Sequence, residues 1–311
     1  MLSDYVGRPA GVRVRSFASR YTGYRDEDVA PAVHRGLPSP FLTLIVTLDD
    51  PLQVAAHPDP RTPPGRYDTL LGGLHTTPAT IVHQGRQSGI QVALSPLGAR
   101  SLLGLPAGEL ANLDVTASDV LGPFIDELRD RVRAAPAWPE RFRIVDAMLA
   151  ARCASPVLPP PEVVHAWQLL QASGGTVSTV ALAREVGWSG RYLSRQFNVE
   201  IGLSPKAAAR VARFDRARHV IQRGAASLAA VAAGCGYYDQ AHLTREFGAL
   251  AGCPPARWLA EEDLPPFRDI QDPAEKDLPP FRNVQDPAEK DLPPFRNIQD
   301  PGAPVPEDWA A

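Results

Sequence analysis

Two short segments carry the residue types that read nucleic acid. Gly187-Trp-Ser-Gly-Arg-Tyr-Leu-Ser-Arg-Gln-Phe197 and Gly236-Tyr-Tyr-Asp-Gln-Ala-His-Leu-Thr-Arg-Glu-Phe247 share the pattern Leu-[Ser/Thr]-Arg-x-Phe, fifty positions apart. Arginine can grip O6 and N7 of guanine with two hydrogen bonds, and glutamine does the same for adenine. A serine or threonine hydroxyl bonds to either base, while alanine offers only a contact with the thymine methyl. Each two-pronged contact discriminates between bases by roughly 1–3 kcal/mol. On a helix over 189–200, Leu193 and Phe197 turn inward and leave Gly190, Arg191, Ser194 and Arg195 outward. On a helix over 239–249, Leu243 and Phe247 turn inward and leave Gln240, Ala241, Thr244 and Arg245 outward. The candidate DNA-reading residues are therefore Arg191, Ser194, Arg195, Gln240, Ala241, Thr244 and Arg245. For any single arginine the plainer alternative is a phosphate contact or a solvated charge. Tyr192 and His242 are expected to pack against the body of the domain.

The element that must position both segments lies between them. Ser204 is a good N-cap, Pro205 suits the first helical position, and Gly202 can close the preceding helix in the left-handed conformation. Ala207, Val211, Phe214 and Ile221 then recur at helical spacing, predicting one helix over 204–222. Arg210, Arg213, Arg216 and Arg218 surround it and are expected to be solvated or paired with Asp215 or Glu200. Upstream, Gly187 lies four positions after Ala183 and Leu193 ten after it. That is a helix-turn-helix spacing: small at the helix contact, glycine at the tight turn, apolar where the second helix docks. Ala232, Gly236 and Leu243 repeat it with a turn one residue longer.

Charge agrees with this placement. The net charge is −3, but residues 1–159 carry 16 basic and 16 acidic side chains, residues 160–260 carry 11 and 6, and residues 261–311 carry 5 and 13. Only the middle segment has the sign that suits a polyanion. An apolar fraction of 44% and a charged fraction of 22% suit a globular protein of about two domains. No apolar run is long enough to span a membrane, the N-terminus does not read as a signal peptide, and a cytoplasmic location is expected. Cys153, Cys235 and Cys253 have no metal-ligand spacing and are expected to be small buried residues.

The fold class expected is α+β. Residues 1–117 are β-rich, with strand candidates at 41–48, 52–55, 67–71, 79–82 and 89–94, suggesting a barrel or sandwich, and with a short helix from Ser95 to Leu103. Residues 118–153 form a helical hairpin in which Ser118 caps the first helix and an apolar stripe either packs on the β domain or pairs with a second subunit. Residues 154–161 are a proline-rich linker, and residues 162–260 are helical throughout. Residues 261–311 carry a fourteen-residue repeat, Asp263-Leu-Pro-Pro-Phe-Arg-Asp-Ile-Gln-Asp-Pro-Ala-Glu-Lys276 and two further copies. Its prolines and acidic balance predict a disordered tail, with a repeated docking motif as the alternative.

Residues 160–260 resemble the DNA-binding domain of the AraC/XylS family of bacterial transcription regulators. The motifs that carry the resemblance are Leu182-Ala-x-x-x-Gly-Trp-Ser, Leu193-Ser-Arg-x-Phe, Gly202-x-Ser-Pro, Arg210-x-x-Arg213-Phe-x-x-Ala217, Ala232-x-Cys-Gly and Gly252-Cys-Pro-Pro. The resemblance implies seven helices, two helix-turn-helix units bridged by a long helix, and recognition helices entering successive major grooves. It maps the base-reading positions onto Arg191, Ser194, Arg195, Gln240, Ala241 and Arg245. The sequence departs from the pattern at Ala241, which limits readout, and at Phe214, where leucine is usual. The resemblance also implies a cupin-like N-terminal partner that binds a small effector and helps dimerisation. His34, His57, His75 and His83 lack a cupin-like metal spacing, and no cofactor or metal is expected. The chain is expected to be a transcription regulator, an activator, and not an enzyme. Its expected partners are double-stranded DNA, a small-molecule effector, a second copy of the chain and RNA polymerase, with no membrane. Two rivals are an enzyme at 1–153 fused to a DNA-targeting module, for which no nucleophile with a base is visible, and a scaffold acting through the tail.

Overall fold

Alternating side chains and long cross-chain pairings build the N-terminal half. The computed structural model describes residues 2–224 and 227–262, so the repeats at 263–304 lie outside the described residues. In chain order the strands are β1 (Leu2–Pro9), β2 (Ala18–Glu27), β3 (Ala32–Gly36), β4 (Leu42–Thr47), β5 (Leu52–Ala56), β6 (Gly65–Tyr67), β7 (Thr69–Gly72), β8 (Ala79–His83), β9 (Gln87–Leu94) and β10 (Asp114–Thr116). They form a six-stranded sheet in the order β1-β2-β9-β4-β7-β10 and a four-stranded sheet in the order β3-β8-β5-β6. Every described pairing is antiparallel.

Successive residues of a strand face opposite sides, and this period divides β4 between two cores. Ile45 joins Leu70, Leu52, Val54 and Ala79 in the space between the sheets, which makes the domain a sandwich. Leu42, Leu44 and Val46 face the other way with Ile90, Val92 and Leu94 of β9. There they meet α3 (Pro123–Ala134) and α4 (Trp138–Arg152), reached through α1 (Ala99–Leu103) and α2 (Ala117–Leu121). Ile125, Leu128 and Val132 of α3 and Phe142, Val145 and Leu149 of α4 are buried in this layer. The apolar stripe of the hairpin is thus consumed by its own domain, and a second subunit would have to use another surface. The helix expected to run on from Ser118 is broken in two. Gly122 takes a φ of 58° and Pro123 starts α3, while α2 begins after Thr116, so Ser118 is not a cap.

Seven helices follow among the described residues: α5 (Pro161–Ala172), α6 (Thr179–Glu185), α7 (Gly190–Ile201), α8 (Pro205–Gln222), α9 (Leu228–Gly234), α10 (Gln240–Ala251) and α11 (Pro255–Glu262). The cap expected for α8 is present, with Ser204 accepting a hydrogen bond from the Ala207 amide at 3.2 Å, and Gly202 sits at φ 92°. Val211, Phe214 and Ile221 are buried and Ala207 is half-buried, so the α8 stripe faces the core of this half. The three cysteines are free and buried.

The two halves share a boundary with its own chemistry. Leu74, from the loop after β7, is fully buried in the C-terminal core, and Leu37 and Leu97 pack against it. Arg100 of α1 holds Glu200 of α7 through two hydrogen bonds of 2.8 Å. Glu200 is 4% exposed, so this is a buried carboxylate paired from across the boundary. A Cβ on Gly108 would meet the carbonyl oxygens of Asn198 and Val199 well inside van der Waals contact, which is why the chain can approach α7 so closely there. Arg35 of β3 also pairs with Glu261 of α11.

Candidate nucleic-acid interface

Each recognition segment is a capped helix behind a glycine turn. Gly187 and Gly236 sit at φ 70° and 76°, the left-handed region that glycine enters without strain. Ser189 then accepts a hydrogen bond from the Tyr192 amide at 3.2 Å, and Asp239 accepts one from the His242 amide at 2.6 Å. These caps satisfy orphan amides of the first turn and fix where each helix starts. Leu193 and Phe197 are fully buried, as are Leu243 and Phe247. Phe197 packs on Trp167 with ring centroids 6.0 Å apart, and Phe247 packs on Phe214 at 4.9 Å and Trp258 at 5.4 Å. The inward residues therefore anchor the helices, and the opposite faces are set by elimination.

On those faces Arg191, Arg195, Gln240, Ala241 and Arg245 are exposed, and Ser194 and Thr244 are half-buried. Arg191, Arg195 and Arg245 make no ion pair among the described residues, so their charges are available to a partner. The Arg195 guanidinium lies 5.4 Å from the centre of the Tyr192 ring, which itself meets Trp188 edge-on at 4.7 Å. Tyr192 is 42% exposed, so it packs less completely than expected and acts as a shelf beside Arg195. The Thr244 hydroxyl donates to the Gln240 carbonyl at 2.9 Å. His242 accepts from the Tyr238 amide through Nδ1 at 3.2 Å and meets Tyr237 edge-on.

The arginines around α8 divide in a way that sequence reasoning caught only in part. Arg218 pairs with Asp215 at 2.7 Å, as expected. Arg210 and Arg213 instead converge on Glu246 of α10, each at 3.1 Å. Glu246 is 8% exposed, and Arg213 also donates to the Gly175 carbonyl at 2.9 Å. Glu200 takes its partner from Arg100, not from α8. Both recognition helices are thus held by a buried glutamate: α10 by the long helix, and α7 by the N-terminal half. Neither pairing has a local signal, because the partners are 33 to 100 positions apart. Tyr238, in the turn before Asp239, was also missed; it is 93% exposed, and its residue type alone predicts burial.

Comparisons with known proteins bear on this geometry. A helix-turn-helix domain family matches residues 182–261, and a domain of unknown function, DUF6597, matches residues 13–116. No curated protein sequence matches. Among solved structures, an AraC-type DNA-binding domain protein of Chromobacterium violaceum is 26% identical, with 34% of this chain and 95% of that chain covered and a TM-score of 0.31. Apo ToxT of Vibrio cholerae is 10% identical, with coverages of 82% and 99% and a TM-score of 0.49. ToxT bound to an unsaturated fatty acid is 9% identical, with coverages of 81% and 96% and a TM-score of 0.47. The helix-turn-helix match spans both capped helices and the long helix between them.

The C-terminal domain is of the AraC/XylS type. With that domain the chain is a DNA-binding transcription regulator. The AraC-type domain leaves the N-terminal half to be explained on its own geometry. No described helix is long and apolar enough to cross a membrane. In the sandwich, His57 Nδ1 lies 2.8 Å from Asp114 and its Nε2 lies 3.2 Å from the Tyr67 hydroxyl. Burial pushes the Tyr67 hydroxyl up from its ordinary pKa, and Asp114 adds to the shift. A tyrosine held protonated in this way ties β6 to β10 through His57 and is a poor nucleophile.

Proposed function

We propose that the chain is a sequence-specific regulator whose α7 and α10 enter successive major grooves on one face of the duplex. Arg191, Ser194 and Arg195 would read one site and Gln240, Ala241, Thr244 and Arg245 the next. The observation that carries this reading is the free charge on two capped helix faces, set against the complete pairing of Arg210, Arg213 and Arg218 just behind them. A partner of high negative charge supplies what Arg191, Arg195 and Arg245 lack. Residues 1–117 would act as the sensor, 118–153 as its helical cover, 154–161 as the linker and 162–260 as the DNA reader. A small-molecule effector, a second copy of the chain and RNA polymerase complete the proposed partners, with activation as the proposed outcome.

The route of control runs through the boundary. Arg100 and the segment around Gly108 hold the C-terminal half of α7 and leave its N-terminal half exposed. A change in the sandwich that moves α1 would therefore shift the first recognition helix relative to the second. Such a shift alters DNA affinity only to the extent that the two arrangements bind DNA differently. In vitro selection of bound DNA, repeated at two salt concentrations, tests the proposal. The expected result is a two-part site with centres about 10 base pairs apart and an affinity that falls with salt. Recovery of unselected DNA with salt dependence alone would reduce the faces to phosphate contacts.

A further inference from the structure

The sandwich has an open end where the β4–β5 turn meets the β8–β9 turn. A pocket of about 270 Å³ lies there, lined by residues of both sheets, among them Leu52, Gln53, Arg66, His83, Arg86 and Gln87. Most of this lining is polar or charged, unlike the two apolar cores on either side.

Its charge is unbalanced. Arg66 makes no ion pair among the described residues. Arg86 meets Asp50 at 3.3 Å, with both side chains more than half exposed, a pairing that contributes little. Two guanidinium groups against one carboxylate leave about one positive charge at the pocket. The wall also holds a polar group without a partner. His83 is 4% exposed, and its Nδ1 accepts a hydrogen bond from the Gly85 amide at 3.2 Å. Burial pushes the His83 imidazole below its ordinary pKa, so the ring is neutral near pH 7. Because Nδ1 is the acceptor, the single ring proton sits on Nε2, and Nε2 has no hydrogen-bond partner among the described residues. A buried donor left unmet costs on the order of 1–3 kcal/mol. An acceptor brought by a ligand would remove that cost.

We infer that this pocket binds a small hydroxylated monocarboxylate, its carboxylate facing Arg66 and Arg86 and an oxygen accepting from His83. One excess positive charge matches a monocarboxylate better than a phosphate of higher charge. A volume equal to about nine waters at roughly 30 Å³ each sets the size near ten non-hydrogen atoms. Gln53 and Gln87 favour hydroxyl groups, and the small apolar share of the wall disfavours an acyl chain. The site deepens the effector reading of the N-terminal half and rests on it for its regulatory meaning, though not for binding itself.

The test uses the full chain and titration calorimetry with glycerate, threonate and gluconate, against glycerol, threitol and inorganic phosphate. At least one hydroxy acid is expected to saturate with a Kd near or below about 1 mM, with the polyols silent and phosphate weaker. Arg66→Ala with Arg86→Ala, on a fold checked by circular dichroism, is expected to weaken that binding at least about tenfold, the loss of one charge-assisted contact. The His83 Nε2 resonance is expected to shift on saturation in the unmutated chain. No binding by any of the three acids, equal binding by polyols or phosphate, or unchanged binding in the arginine variant would each overturn the site. Operator affinity measured with and without saturating hydroxy acid separates the two claims. Binding without any effect on operator affinity keeps the pocket and removes effector control. A compound that alters operator affinity equally in the unmutated chain and the arginine variant keeps effector control and removes the pocket.

Discussion

Removing Arg100 should cost more than removing the charge it serves. Glu200 is buried at 4% exposure and receives two hydrogen bonds of 2.8 Å from one guanidinium. Hydrogen bonds to charged groups contribute about 1.5–3 kcal/mol each, and breaking a fully buried pair from one side costs about 3–5 kcal/mol. The Arg100 side chain is 33% exposed, so water recovers part of that loss at the site of the deletion. Arg100→Ala is therefore expected to destabilise by about 2 kcal/mol. Glu200→Gln keeps the shape and one acceptor, discharges the buried group, and leaves a guanidinium that water can reach, so it is expected to cost about 1 kcal/mol or less. The double variant should cost less than the two singles together, because the stranded charge is gone. Urea unfolding followed by tryptophan fluorescence and by circular dichroism measures all three. The reasoning is refuted if Glu200→Gln costs as much as Arg100→Ala, or if Arg100→Ala costs less than about 0.5 kcal/mol.

Other expectations address the same architecture. Gly108→Ala forces a Cβ onto the Asn198 and Val199 carbonyls, so the boundary should loosen by about 1–3 kcal/mol, with faster amide exchange in the last turn of α7 and unchanged exchange in α10. Glu246→Ala strands Arg210 and Arg213 and should cost about 2–4 kcal/mol while lowering operator affinity more than non-specific affinity, measured by gel shift on two DNAs. Acid should weaken the fold through the sandwich. His34 is pushed down to about 4 by burial, with His83 adding to the shift, so between pH 6.5 and about 4 the unfolded chain binds the extra proton. The stability from this group is complete above pH 6.5 and lost as pH falls through that window; His34→Phe should flatten this part of the unfolding profile.

The helical half was legible because its signals are local. Ser189, Ser204 and Asp239 cap where capping residues precede an apolar period, and Gly187, Gly202 and Gly236 take the positive φ that their turns require. Five of the strands, β4, β5, β7, β8 and β9, were visible as β-branched or apolar runs between turns. β1, β2, β3 and β10 were not. β2 reads Ala-Ser-Arg-Tyr-Thr-Gly-Tyr-Arg-Asp-Glu, polar and interrupted by Gly23, which gives no strand signal by composition. Its place comes from pairing with β1 and β9 and from Trp138 of α4, whose ring occupies the space a Cβ on Gly23 would need. The break at Gly122 was hidden because the apolar period continues across it. The boundary pairings Arg100–Glu200 and Arg35–Glu261 join positions far apart in the chain, and only the folded structure places them together. The candidate reading residues could be named by position on a helix face, whereas the buried glutamates that orient those helices could not.

In vitro selection of bound DNA with Arg195→Ala and Arg245→Ala, each beside the unmutated chain, tests the central claim most directly. The account predicts that each variant loses base preference in one half of a two-part site and keeps it in the other, with the halves about one helical turn apart. A uniform loss of affinity in both variants, with both halves still selected, would contradict it.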